Sequence, residues 1–170
     1  MSADLFEGEE YELVTPPSDL RKKVRIMNKR EAAKFDPVKA AEIALERLSQ
    51  NFGGWMSNEA AELMAAWDVV QSEGLTAENL DTLYQSAHNI KGQALTLGYP
   101  LVGSVAASFC RLIETVPSPS ALPLPLVEQY VVAIRAMVAE GAKDDQNETG
   151  SALLDRLTEV TEDYLAQLKK

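Results

Sequence analysis

One histidine occurs in the 170 residues, His88, within the stretch Ala87-His88-Asn89-Ile90-Lys91-Gly92-Gln93. A neutral imidazole nitrogen is a good nucleophile for a phosphoryl group, and a reference pKa of about 6.5 leaves most of the ring neutral near pH 7. Lys91 follows at i+3 and Gly92 at i+4, the spacings of helix-surface neighbours. The Lys91 ammonium is within reach of the oxygens of a transferring phosphoryl, where fixed positive charge lowers the barrier. A helix-interior glycine costs roughly 1 kcal/mol relative to alanine. Gly92, with no side chain, leaves room for another protein's active site to approach His88. A lone histidine on a helix is ordinarily a surface residue without a task. The neighbouring Lys-Gly pair and an outward phase set this one apart.

These residues need a helix to hold them. Leu80, Leu83, Ala87, Ile90, Ala94 and Leu97 follow the three-four spacing of one helical face. His88 projects about 130° from the centre of that face, towards solvent or a flank. Thr76 caps this helix, Gly98 stops it, and Pro100 starts the next. So short a joint makes the two helices antiparallel neighbours. A turn centred near Tyr99 and Pro100 then places Arg111 level with His88, about 150° from its own helix's apolar centre. Its guanidinium fork suits phosphate oxygens. A surface pairing of Arg111 with Glu114 at i+3 explains its position equally well. Gln85, at i−3 from His88, offers a neutral hydrogen bond. Tyr84, Gly92, Gln93 and Leu95 flank the imidazole as the expected docking surface for a partner.

His88, Lys91, Gly92 and Gly98 resemble the signature of histidine-containing phosphotransfer (HPt) domains: a histidine, Lys-Gly at i+3 and i+4, and a glycine near the helix end. Many members carry a small residue after Lys-Gly, where this chain has Gln93. The resemblance is specific over about residues 76–116, general over 55–141, and silent on 1–35 and 142–170. It implies a place in a bacterial-type multistep phosphorelay, the relay form of two-component signal transduction. A receiver's phospho-aspartate would donate to His88, and a second receiver would accept from the phosphohistidine. The implied partners are response-regulator receiver domains and a hybrid histidine kinase. The receiver brings Mg²⁺, and the chain itself needs no cofactor or metal. Such a protein is a carrier, not an enzyme, and nothing in the sequence provides an ATP-binding kinase site. Two rivals stand beside this. A helical adaptor would bind signalling partners without phosphorylation. A helical enzyme would use His88 as a general base, which requires a carboxylate or similar group beside the ring in an enclosed pocket.

Composition narrows the classes. Residues 1–35 hold seven acids and seven bases, whereas residues 36–170 carry the whole net charge of −10. A body this acidic repels a phosphate backbone, which argues against nucleic acid. Between Leu48 and Ile134 the only cations are Lys91 and Arg111. The single cysteine, Cys110, forms no internal disulfide and suits a reducing compartment. No apolar run approaches the ~20 residues of a membrane helix, and the acidic start, Ser2 to Glu12, lacks an apolar signal core. A cytoplasmic location is expected.

The expected fold is all-α: an antiparallel up-down four-helix bundle over about residues 55–141, with one additional helix before it and one after. Residues 1–35 read as a flexible arm and 36–170 as the HPt-type domain. Asp36-Pro37 starts the first helix, with Val38, Ala41, Leu45, Leu48 and Phe52 at helical spacing, and Gly53-Gly54 ends it. The second runs from about Trp55 or Ser57 to Ser72, the fifth to about Ala139 before Gly141, and the last over about 151–168, after a polar linker at 142–150. No strand alternation, nucleotide-binding glycine loop or metal-ligand cluster is present.

Overall fold

The computed structural model describes residues 27–142 and 146–168. Among them are seven α-helices and no strand: α1 Lys29–Ala32, α2 Pro37–Ser49, α3 Phe52–Glu73, α4 Ala77–Gln93, α5 Pro100–Thr115, α6 Leu124–Glu140 and α7 Glu148–Leu168. A 3₁₀ turn, Pro119–Ala121, precedes α6. The chain divides into two units, Met1–Ala41 and Glu42–Lys170, with the division inside α2. Most of the expected arm, residues 1–26, lies outside the described residues.

In the first unit, Asn28 and Glu31 form a reciprocal capping box around α1. Asp36 caps α2 as expected, accepting from the N–H groups of Val38 and Lys39 at 3.0 and 3.1 Å. No residue of α2 is buried, and Val38 and Leu45 stay 66% and 61% exposed. The helical spacing of that stripe is real, but Val38, Ala41, Leu45 and Leu48 are all exposed.

The Gly53-Gly54 stop does not occur. The break falls at Gln50 and Asn51, and both glycines lie in the first turn of α3. The first four helical N–H groups have no intrahelical partner in any case, so glycine is less costly there than mid-helix. Gly53 faces Tyr99, and a Cβ at 53 would lie 3.5 Å from the Tyr99 hydroxyl. The last helix also begins earlier than expected, because Asn147 accepts from the Gly150 N–H at 2.7 Å and acts as its cap.

In the second unit, α3 packs against α4 and α6, α5 packs against α4, α6 and α7, and α6 also meets α7. Apolar residues at helical spacing on α3 to α6 supply the core: Met56, Leu63, Leu83, Ile90, Val105, Phe109, Leu112, Val127, Tyr130 and Ile134 are fully buried. Burying a Leu or Ile side chain contributes about 1.5–3 kcal/mol. Rotating α4 enough to bury His88 would expose Leu83 and Ile90, so burial fixes the phase that presents the histidine. The helix α4 ends at Gln93, five residues before the expected stop at Gly98, and residues 94–98 form turns in which Gly98 takes a positive φ of 82°.

Tyr130 holds α5, α6 and α7 together. Its hydroxyl lies 2.7 Å from Ser108 Oγ and 2.6 Å from Thr161 Oγ1, and donates to the Leu157 carbonyl at 3.2 Å. Its ring stacks on Phe109 at 5.1 Å. Tyr130→Phe strands buried Thr161 and should destabilise the fold by about 1–3 kcal/mol, read as a lower denaturant midpoint at unchanged slope.

Candidate functional site

The site is built on the antiparallel pair α4 and α5. Thr76 Oγ1 accepts from the Asn79 N–H at 3.1 Å and caps α4 as predicted. Leu83, Ala87 and Ile90 are wholly buried, while His88, Lys91 and Gly92 are exposed. Tyr84, in the first half of α4, meets Glu114 near the end of α5: its hydroxyl donates to Glu114 Oε1 at 2.6 Å. The same hydroxyl lies 3.5 Å from His88 Nδ1, with the two rings 5.6 Å apart at a 37° tilt. Tyr84, one turn before His88, therefore links the imidazole to a carboxylate on the neighbouring helix.

That link perturbs the phenol. The hydrogen bond to Glu114, with desolvation and the Glu114 charge adding to it, pushes the Tyr84 pKa up to about 12. Its proton stays in place throughout the physiological range. Cys110, buried on α5, has its thiol pushed up to about 11, chiefly by desolvation. The Lys91 charge opposes that rise and the Glu114 charge adds to it, so both reach the α4–α5 seam. A neutral, buried thiol is no rival nucleophile to His88.

Gln85 is exposed, and no hydrogen bond links it to His88. Gln93 is also exposed, and its side-chain amide donates to Glu59 Oε1 on α3 at 3.2 Å. Leu95 is 73% exposed, the most exposed large apolar side chain among the described residues. A Cβ at Gly92 would meet nothing within 4 Å, so no neighbour in the fold requires glycine there.

Arg111 is not free to reach for a phosphoryl group unaided. Its guanidinium pairs with Glu162 of α7, at 2.9 Å to Oε1 and 3.1 Å to Oε2. Glu114, the alternative partner at i+3, is occupied by Tyr84 instead. Glu114 and Glu162 have no place among the expected site residues. The register that sets Arg111 level with His88 also brings Glu114 near Tyr84, so Glu114 was within reach of sequence reasoning. Glu162 was not, because its contact depends on how α7 docks. Among the described residues, no group of three or more His, Cys, Asp or Glu side chains is gathered to hold a metal ion. No helix among them is long and apolar enough to cross a membrane. No family model, no curated protein and no solved structure matches the chain.

Proposed function

We propose that this chain is a histidine phosphotransfer protein, carrying a phosphoryl group on His88 between the aspartates of receiver domains. The observation that carries this is the pairing of a lone outward imidazole with an open glycine one turn later, on a helix whose other face is buried. An exposed nucleophile with cleared ground beside it serves chemistry completed by a second protein. A general-base enzyme would instead enclose the ring, whereas His88 is exposed, and the shallow pocket lined by Tyr84 and Glu114 does not include it. The packing of α3 on α4, α4 on α5, α5 on α6 and α6 on α3 supports reading these four helices as an up-down bundle, with α7 added across α5 and α6.

In this proposal the receiver supplies Mg²⁺ and most of the catalytic groups. The present chain supplies the nucleophile, the Lys91 charge and a docking face that includes Leu95 and Gly92. A hybrid histidine kinase's receiver would be the donor and a response regulator the acceptor, in a cytoplasmic relay. Incubating the purified protein with a panel of phosphorylated receivers tests this directly: transfer of label to His88 is expected, and no transfer from any receiver argues against it. The exposed Leu95 also suits an adaptor that binds such partners without phosphorylation. An adaptor would keep its signalling output in His88→Gln.

Charge near the site yields a graded expectation. Lys91→Ala should slow transfer, by less than the roughly hundredfold that losing one preorganised donor costs in a water-excluded site, because Lys91 is exposed. Arg111→Ala should have a smaller effect, because Glu162 already holds its guanidinium. Transfer rates measured on both, with helicity checked by circular dichroism, decide the order. Unchanged rates in both would mark them as solvated surface charges.

A further inference from the structure

His88 presents two nitrogens, and the hydrogen-bond chain beside it distinguishes them. In neutral imidazole one nitrogen donates and the other accepts, and the bond made by one fixes the role of the other. Tyr84 commits its only proton to Glu114 Oε1, in a 2.6 Å bond to a charged acceptor. What its oxygen can then offer His88 Nδ1, 3.5 Å away, is a lone pair. That contact is favourable only when Nδ1 carries the hydrogen. The raised phenol pKa agrees, since the Tyr84 proton is held and not shared. A free histidine side chain prefers the opposite tautomer, with the hydrogen on Nε2.

We infer that Tyr84, oriented by Glu114, is a positioning residue that holds His88 as the Nδ1–H tautomer and leaves Nε2 as the nucleophilic nitrogen. The consequence for transfer rests on the phosphotransfer proposal, whereas the tautomer does not. In the transfer step the Nε2 lone pair attacks the phosphorus of a receiver's acyl phosphate. The N–P bond forms, the P–O bond to the aspartyl carboxyl breaks, and its electron pair leaves on the aspartate. Nδ1 keeps its proton, so the ring becomes a phosphorylated imidazolium. Its new positive charge faces, through the Tyr84 oxygen, the Glu114 carboxylate. The return step reverses each of these movements. Lys91, one turn further along α4, remains available to the phosphoryl oxygens, while Arg111 is held by Glu162.

Because the chain has one histidine, a two-bond ¹H–¹⁵N correlation spectrum of the ¹⁵N-labelled full chain contains a single imidazole pattern. At a pH where the ring is neutral, the wild type should show a protonated Nδ1 and an unprotonated Nε2. Tyr84→Phe removes the acceptor, and Glu114→Ala frees the phenol proton to point at Nδ1. Both should move the ring to the Nε2–H tautomer with helicity intact. Both should also slow transfer from a phosphorylated receiver by roughly tenfold, the scale of losing a partner that orients a histidine ligand. A wild-type ring in the Nε2–H form, or a tautomer unchanged in both variants, would overturn the inference. Wild-type protein with the Nδ1–H form that accepts no label would overturn the carrier proposal and leave the positioning by Tyr84 and Glu114 standing.

Discussion

His88→Gln should reduce phosphoryl acceptance from a receiver to background. The substitution asks little of the fold. Position 88 is exposed, Gln is at least as good a helix former as His, and the buried face of α4 is untouched. It removes the only imidazole in the chain, and no other side chain near the site is a comparable nucleophile. Cys110 is buried with its thiol held protonated, and the Tyr84 phenol keeps its proton up to about 12. Label on the wild type should be acid-labile and base-stable, as expected of a phosphoramidate. Label of that kind surviving in His88→Gln would end the phosphohistidine proposal. Loss of label accompanied by loss of helicity would be a folding effect, so circular dichroism belongs with the measurement.

The helix that bears His88 was legible because two independent signals agree there. The apolar stripe from Leu83 to Ala94 is buried and Thr76 caps the start, whereas the end falls at Gln93, five residues before Gly98, because a glycine's freedom to take positive φ does not say how many turn residues precede it. Phase follows from the stripe, and exposure of His88 follows from phase. The α2 stripe shows the limit of that inference. Periodicity reveals that a face is apolar but not that a partner exists, and Val38, Leu45 and Leu48 are exposed. Gly53-Gly54 shows another limit, since a glycine pair reads alike at the end of one helix and the start of the next. The Tyr84–Glu114 bond needed an antiparallel register plus the direction of two side chains, of which only the register was in the sequence. Arg111 needed more still. Its pairing with Glu162 spans 51 positions, and the docking of α7 on α5 has no local signature.

Gly92→Gln should slow transfer by about a hundredfold while leaving the fold at least as stable. The stability half follows from geometry on both sides of the residue. Gly92 is the next-to-last residue of α4, where glycine is worse than alanine by less than the roughly 1 kcal/mol of a helix interior, and a Cβ at 92 would meet no atom within 4 Å. Gly92 therefore relieves no internal crowding. Gly103 is a useful contrast, since its Cβ would lie 3.2 Å from Ala94. If Gly92 had no task outside the fold, Gly92→Ala would be a gain in stability without loss of function. The transfer half follows from what an in-line attack needs. The receiver's phosphorus must approach His88 to roughly 3–3.5 Å, and displacement by about 1 Å costs on the order of a hundredfold. A glutamine side chain at 92, one turn from the imidazole, stands where the receiver must come. Gly92→Ala should fall between, with a small rate loss and a raised melting temperature. Leu95, 73% exposed, would be partly covered in the same docking event, so Leu95→Ser should weaken receiver binding without touching the chemistry. A Gly92→Gln protein that melts no lower than wild type and accepts label at the wild-type rate would show that partners do not approach across this face.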